Sequence, residues 1–366
     1  MQIPVVNLKP ALDAAEPEWR ARMAEMFSRM HFILGEQVAS FEREFGGYLG
    51  ARHAIGVGTG TAALELCLRD AGVTSARQEV ITSPLTAPFT GIAILAAGAS
   101  IRFADIDPDT LLLDPGQVEE AAGRRTAAVI PVHLYGQPCE MARFAGLARR
   151  LRLTLIQDAC QAHGARFRGR PLAEFSPYVA YSFYPTKNLG CLGDGGAVVT
   201  NRAAVNRHIR LLRDGGRAGD MISRVAGINS RLDEMQACFL RAFLPRLDEW
   251  NADRARTAAL YDEGLAGCDG VRVLRREDSV HHLYVIRAKR RDRLREHLAK
   301  LGIGTAIHYA APLHLHPAFR DCGRKRGDLP AAEAACREIV SLPLWPCMPS
   351  AAAERVVEAI RRFYAG

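Results

Sequence analysis

Between residues 54 and 200, short apolar runs alternate with helical patterns at a nearly constant spacing, and few architectures can accommodate that alternation. The runs at 54–58, 79–82, 101–105, 127–133, 153–157, 178–183 and 196–200 have the length and residue types of strands. Between the earlier ones, 61–72, 88–97, 114–123 and 140–150 read as helices. Strand and helix in this rhythm predict an α/β fold with a large, mostly parallel central sheet flanked by helices. In such sheets, the loops at the carboxyl ends of the strands build the ligand site.

After residue 229 the pattern changes. Long helical stretches at 231–247 and 251–265 follow, and Pro245 is expected to kink or end the first. A smaller α/β piece then reads as strands at 283–287 and 305–309, a basic helix at 290–301 and a closing helix at 351–364. Upstream, Phe41, Phe45 and Tyr48 at helical spacing place 12–50 beside the large domain. A chain of 366 residues exceeds one compact core. The expected division is 1–240, a large domain with an N-terminal helical segment, and 241–366, linking helices and a small C-terminal domain.

Composition excludes several function classes. No apolar stretch approaches the ~20 residues of a membrane helix, and the start Met1-Gln2-Ile3-Pro4-Val5 is unlike a signal peptide, so a cytoplasmic protein is expected. The net charge of +8 comes from scattered pairs such as Arg124-Arg125 and Arg149-Arg150, mixed with acids. No basic stretch is interleaved with aromatics, so nucleic acid is not an expected partner. The nine cysteines include no C-x-x-C pair, and the reading is free thiols without a metal site.

Only five of the 48 basic side chains are lysine: Lys9, Lys187, Lys289, Lys300 and Lys325. Lys187 stands alone between residues 10 and 288. Arginine stays protonated and cannot form an imine, whereas a lysine amine can. The segment Tyr181-Ser182-Phe183-Tyr184-Pro185-Thr186-Lys187 is an apolar strand that Pro185 must end, and glycines follow it. A buried ammonium without a partner is costly, which favours a neutral amine there.

Two further segments converge on the same chemistry. Gly58-Thr59-Gly60-Thr61-Ala62-Ala63 follows a strand and opens a helix, whose N–H groups and dipole suit a phosphate, with Gly60, Thr61 and Ala62 as its cup and Ser182 placed to join them. The same run reads as G-x-G-x-x-A, the fingerprint of an NAD-dependent dehydrogenase. That reading wants an acidic residue ending the next strand, which instead runs into Ser83-Pro84. In Leu155-Ile156-Gln157-Asp158-Ala159-Cys160-Gln161, Asp158 ends a strand where a carboxylate would keep a pyridine nitrogen protonated, and Gln161 would bond the ring oxygen. Together these point to pyridoxal 5'-phosphate, held by Lys187 as a Schiff base.

Phosphate cup, ring acid and imine lysine stand in the chain order of a fold-type I (aspartate aminotransferase-like) pyridoxal phosphate enzyme. Over nearly its whole length the chain resembles the DegT/DnrJ/StrS family of sugar aminotransferases. The resemblance rests on Phe103-Ala104-Asp105-Ile106-Asp107, Pro131-Val132-His133-Leu134-Tyr135-Gly136, the Asp158 and Lys187 segments, and Gly227-Ile228-Asn229-Ser230-Arg231. It implies Lys187 and Asp158 as catalytic residues, with Asn229 reaching the phosphate of a neighbouring subunit in a homodimer with shared sites. It also implies L-glutamate as amino donor, a nucleotide-linked keto-deoxy-sugar as acceptor, pyridoxamine phosphate as the intermediate cofactor form, and Tyr309 and His314 near the substrate. One departure is Thr86-Ala87-Pro88-Phe89-Thr90: the family places an aromatic residue where Ala87 stands, so either Phe89 stacks on the ring from a shifted loop or something smaller covers that face. Alternatives of the same fold are a keto-cyclitol aminotransferase and a sugar dehydratase, which Lys187 disfavours. A non-catalytic pyridoxal phosphate-binding regulator stands further off.

Overall fold

The computed structural model describes residues 2–366. Three helices lead, α1 (Lys9–Ala14), α2 (Glu16–Arg29) and α3 (Glu36–Tyr48). The alternating region follows as β1 (His53–Val57), α4 (Gly60–Asp70), β2 (Glu79–Thr82), α5 (Pro88–Ala96), β3 (Ser100–Phe103), α6 (Pro115–Ala121), β4 (Thr126–Ile130), α7 (Met141–Leu151), β5 (Thr154–Asp158), β6 (Tyr178–Ser182), β7 (Gly196–Thr200) and α8 (Ala203–Leu212). The seven strands make one sheet in the order β1-β7-β6-β5-β4-β2-β3, and only β7 runs against its neighbours. The expected strands are present, each within a few residues of its predicted limits.

Period-two alternation in these strands feeds two separate cores. Val129, Leu155 and Val179 face one layer, with Phe41, Phe45 and Phe144; Ala128, Ile156 and Ala180 face the other, with Leu64, Leu66 and Phe103. On the first face Phe41 stacks on Phe45 at 5.4 Å, and the Phe183 ring meets both edge-on. The start of α3 has no side-chain cap of its own. Glu234, brought from far along the chain, accepts from the N–H groups of Gly35, Gln37 and Val38 at 2.8–2.9 Å. This fixes the N-terminal helices to the sheet layer.

The remainder comprises α9 (Glu234–Phe243), α10 (Leu247–Leu265), β8 (Val271–Val273), β9 (Tyr284–Ala288), α11 (Arg291–Lys300), α12 (Pro330–Glu338), β10 (Ile339–Leu342) and α13 (Ser350–Ala365). Pro245 breaks the helical run as a tight turn at Leu244–Arg246 between α9 and α10. The antiparallel sheet β8-β9-β10 closes with α10, α11 and α13 around Tyr261, Tyr284, Leu294 and Ile360. The strand expected at 305–309 does not form: only Ala306 bridges Ser341, while the Tyr135 hydroxyl holds the His308 carbonyl and bends the chain away. Leu313, Phe319 and Leu329 return to the core of the large sheet. Asp105, just past β3, caps the first turn of α12, accepting from Ala331 and Ala332 at 2.9 and 3.0 Å. Among the described residues no helix is long and apolar enough to cross a membrane.

Candidate active site

Loops after four of the sheet's parallel strands converge with the C-terminal part of the chain at the carboxyl edge, where a cavity of about 560 Å³ opens. Its walls bring together Thr59, Gly60 and Thr61 after β1, Thr86 to Thr90 after β2, Asp158 to Gln161 after β5, Ser182 to Lys187 after β6, and His282, His308 and Tyr309 from the C-terminal part. The start of α4 forms one wall. Thr59 is its N-cap, and its Oγ1 accepts from the Ala62 N–H at 3.0 Å. Space here is tight enough to require glycine. A Cβ on Gly60 would lie 2.7 Å from Ser182 Cβ and 2.8 Å from Cys160 Sγ. On Gly196, at the start of the antiparallel strand, it would lie 2.4 Å from the Thr59 carbonyl.

Asp158 is buried at the end of β5 with both oxygens held. Oδ2 accepts from Thr90 Oγ1 at 2.7 Å and Oδ1 from the Cys160 N–H at 3.1 Å. Gln161 is fixed at both ends of its amide, accepting from the Tyr135 N–H at 2.7 Å and donating to the Tyr309 hydroxyl at 3.2 Å. His163, behind this wall, donates from Nε2 to the Ser182 carbonyl at 2.8 Å; burial lowers its pKa to about 3, so the ring is neutral.

Lys187 is half-buried and is the only lysine or arginine among the residues lining the cavity. Burial lowers its pKa from the ordinary lysine value, and the nearby Cys160 and Asp158 pull it partly back. The Cys160 thiol moves the opposite way: burial and the adjacent Asp158 carboxylate push it well above its usual range. The amine is thereby favoured as the nucleophile, and the thiol stays protonated.

The model of the DegT/DnrJ/EryC1/StrS aminotransferase family matches residues 14–361. The chain belongs to that family. It is 42% identical over 365 residues to the dTDP-3-amino-3,4,6-trideoxy-alpha-D-glucose transaminase of Streptomyces venezuelae, covering 99% of this chain and 96% of that protein. The fold superimposes on the crystal structure of S. venezuelae DesV in complex with a ketimine intermediate, with a TM-score of 0.97, 41% identity and coverage of 100% and 99% of the two chains. A further likeness is to NtdA from Bacillus subtilis with bound cofactor PMP, at a TM-score of 0.93 and 26% identity, covering 100% of this chain and 86% of that one.

Within this DegT/DnrJ/EryC1/StrS aminotransferase, Gly60, Thr61, Phe89, Asp158, Gln161, Ser182, Lys187 and Tyr309 meet at one cavity. Phe89 is the second residue of α5 and remains 58% exposed, with Ala87 and Pro88 beside it on the wall. Three expected residues lie elsewhere. Ala62 spends its N–H on the Thr59 cap and lines an adjacent cleft instead, with Asn229. Asn229 is absent from the wall around Lys187 of its own chain. His314 is corrected outright: it is buried, bonded through Nε2 to Glu333 at 3.1 Å and close to the Phe103 ring, away from the cavity. A histidine beside Pro312 was available for packing, and a carboxylate on α12 claimed it. Sequence reasoning missed Thr90 as the Asp158 partner, and Tyr184, Asp194 and His282 on the wall. Thr90 lay within a segment already singled out; His282 belongs to no motif and is brought in by the fold.

Proposed function

We propose that this aminotransferase uses pyridoxal 5'-phosphate on Lys187 to move the amino group of L-glutamate to a nucleotide-linked keto-deoxy-sugar, in amino-sugar biosynthesis. The observation that carries this reading is a single amine, pushed toward neutrality by burial, in one cavity with a doubly hydrogen-bonded carboxylate and the start of a helix. These groups fit the cofactor: Asp158 for the pyridine nitrogen, Gln161 for the ring oxygen, Gly60, Thr61 and Ser182 for the phosphate, and Phe89 to cover a ring face. The tight approach at Gly60 lets a helix start and Ser182 close on one small anion. When bound, the cofactor supplies an aldehyde for the amine and a ring that takes up the electron pair released at the substrate carbon.

The remaining work falls to side chains. Lys187 Nζ would be the base that takes the proton from the α-carbon of glutamate, and the same amine would return a proton to the carbon of the keto-sugar that receives the amino group. Asp158 would face the ring nitrogen, its carboxylate held in place by the donors from Thr90 and the Cys160 N–H. Tyr309, anchored on Gln161, borders the space left for substrate. The sugar-nucleotide reading is supported by the full-length similarity to a dTDP-sugar transaminase.

A homodimer with shared sites belongs to the same proposal. Met221 and Ile222 stand 82% and 64% exposed on the loop whose base pairs Asp214 with Asn229, and Met30 on α2's end is 69% exposed. Large exposed apolar side chains such as these suit burial against a second copy, and Asn229 would then serve the partner's phosphate. The nine unpaired cysteines suit the cytoplasm. The test is glutamate-dependent amination across a panel of nucleotide keto-sugars and keto-cyclitols. Release of 2-oxoglutarate with a nucleotide keto-sugar is expected; turnover of cyclitols alone would overturn the substrate assignment, and no turnover with any member would overturn the acceptor class.

A further inference from the structure

The residue after Lys187 is buried and fully engaged. Asn188 Nδ2 donates to Asn251 Oδ1 on α10 and to the Val280 carbonyl, both at 2.8 Å, and Asn188 Oδ1 lies 3.1 Å from His282 Nδ1. A backbone carbonyl only accepts, so the Val280 contact fixes which end of the Asn188 amide is nitrogen. Oδ1 therefore faces the imidazole, and the proton between them sits on His282 Nδ1. Burial, reinforced by the charges of Lys187 and Arg254, holds the His282 pKa well below its usual value. A neutral ring with its proton on Nδ1 carries a bare lone pair on Nε2. That nitrogen has no partner among the described residues and is not sealed off, and the ring lines the same cavity as Lys187.

The other groups around the amine are committed differently. Asp158 is held by Thr90 and the Cys160 N–H, the Cys160 thiol is protonated, and His163 donates its one proton to the Ser182 carbonyl. His308 is tied through Nδ1 to Ser341 Oγ at 2.7 Å, a contact either atom can donate. Tyr309 receives from Gln161, and Tyr184 and Asp194 complete the polar lining. Only His282 is fixed by its partner as an acceptor.

We propose that Asn188 and His282 are positioning residues for Lys187: Asn188 fixes the His282 tautomer, and His282 Nε2 accepts a hydrogen bond from the lysine amine whenever that amine is not bonded to cofactor. The inference rests on the reading of Lys187 as the cofactor-bearing lysine. One N–H directed at His282 leaves the nitrogen lone pair aimed across the cavity at the reacting carbon. Asn251 and Val280 tie this geometry to α10 and to the approach to β9, so the C-terminal part of the chain orients a side chain carried by the large sheet.

Two substitutions separate the roles of the two ring nitrogens. His282→Asn keeps a donor near the position of Nδ1 and removes the cavity acceptor; His282→Gln carries an acceptor out toward the position of Nε2. The pKa of Lys187 is read by competitive acetylation and peptide mass spectrometry on the full chain reconstituted with pyridoxamine phosphate. A hydrogen bond to an ammonium stabilises the charged form, so its loss is expected to lower that pKa by about one unit in His282→Asn, with His282→Gln close to wild type. An unchanged pKa in His282→Asn, or equal shifts in both variants, would overturn the proposal. Should His282→Asn fail to fold, the His282 tautomer of the wild type, read by nitrogen-15 NMR, decides: a proton on Nδ1 is expected, and one on Nε2 overturns it. Protection of Lys187 from acetylation by pyridoxal phosphate in the wild type tests the underlying lysine reading separately.

Discussion

Thr90→Val removes one hydroxyl from the site and almost nothing else. Valine keeps the branched shape, so the wall formed by the first turn of α5 persists, while Asp158 Oδ2 loses the donor at 2.7 Å. Bonds of this type, to an ionised acceptor, contribute about 1.5–3 kcal/mol. The part of that energy present with and without cofactor appears in folding stability; the part that keeps Asp158 opposite a protonated ring appears in cofactor affinity. Asp158 retains the Cys160 N–H, so the lower end applies, and 1.36 kcal/mol is tenfold in a binding constant. The expected result is a roughly tenfold rise in the dissociation constant for pyridoxal phosphate, measured by fluorescence titration of the apoprotein, with Thr90→Ser restoring most of the loss. Wild-type affinity in Thr90→Val, or failure of Thr90→Ser to rescue, would refute the reasoning that this hydroxyl serves the cofactor through Asp158.

Other consequences concern the frame. Glu42 is buried between Arg213 at 2.5 Å and Arg210 at 2.7 Å and also accepts from the Gly56 N–H, so Glu42→Gln is expected to cost about 3–5 kcal/mol in chemical denaturation. A loss below 1 kcal/mol would show the cluster to be dispensable. Burial lowers the pKa of His133 and of His281 to about 4 and that of His163 to about 3. Unfolding frees each to take up a proton near pH 6.5, so these groups favour the unfolded chain increasingly as pH falls from 6.5 toward 4. Each adds up to ~1.4 kcal/mol per pH unit to the slope. Denaturation midpoints at pH 7 and pH 5 should differ accordingly, and equal midpoints would contradict the neutral burial of these rings.

The large sheet was legible because its strands are short apolar runs bounded by turn residues, and most of them are followed by a helix. The small sheet was not: Val271–Val273 and Ile339–Leu342 are too short to carry a period, and β10 follows α12 without an intervening turn. The run at 305–309 has the composition of a strand, yet Tyr135 and Gln161 claim His308 and Tyr309, a long-range choice that no local propensity records. The chemistry was more legible than the scaffold around it, since an isolated lysine, a strand-ending aspartate and a helix-opening glycine run each announce a role by type and place. Asn188 and Thr90 declare nothing as residue types. Their partners, Asn251, Val280 and Asp158, lie 63 to 92 residues away, and only folding selects them.

Borohydride reduction of the pyridoxal phosphate-loaded protein, followed by peptide mapping, tests the central assignment directly. The account predicts a single cofactor-modified site, at Lys187, and none in a Lys187→Arg variant. Modification at Lys9, Lys289, Lys300 or Lys325 instead, or undiminished labelling of the variant, would contradict it.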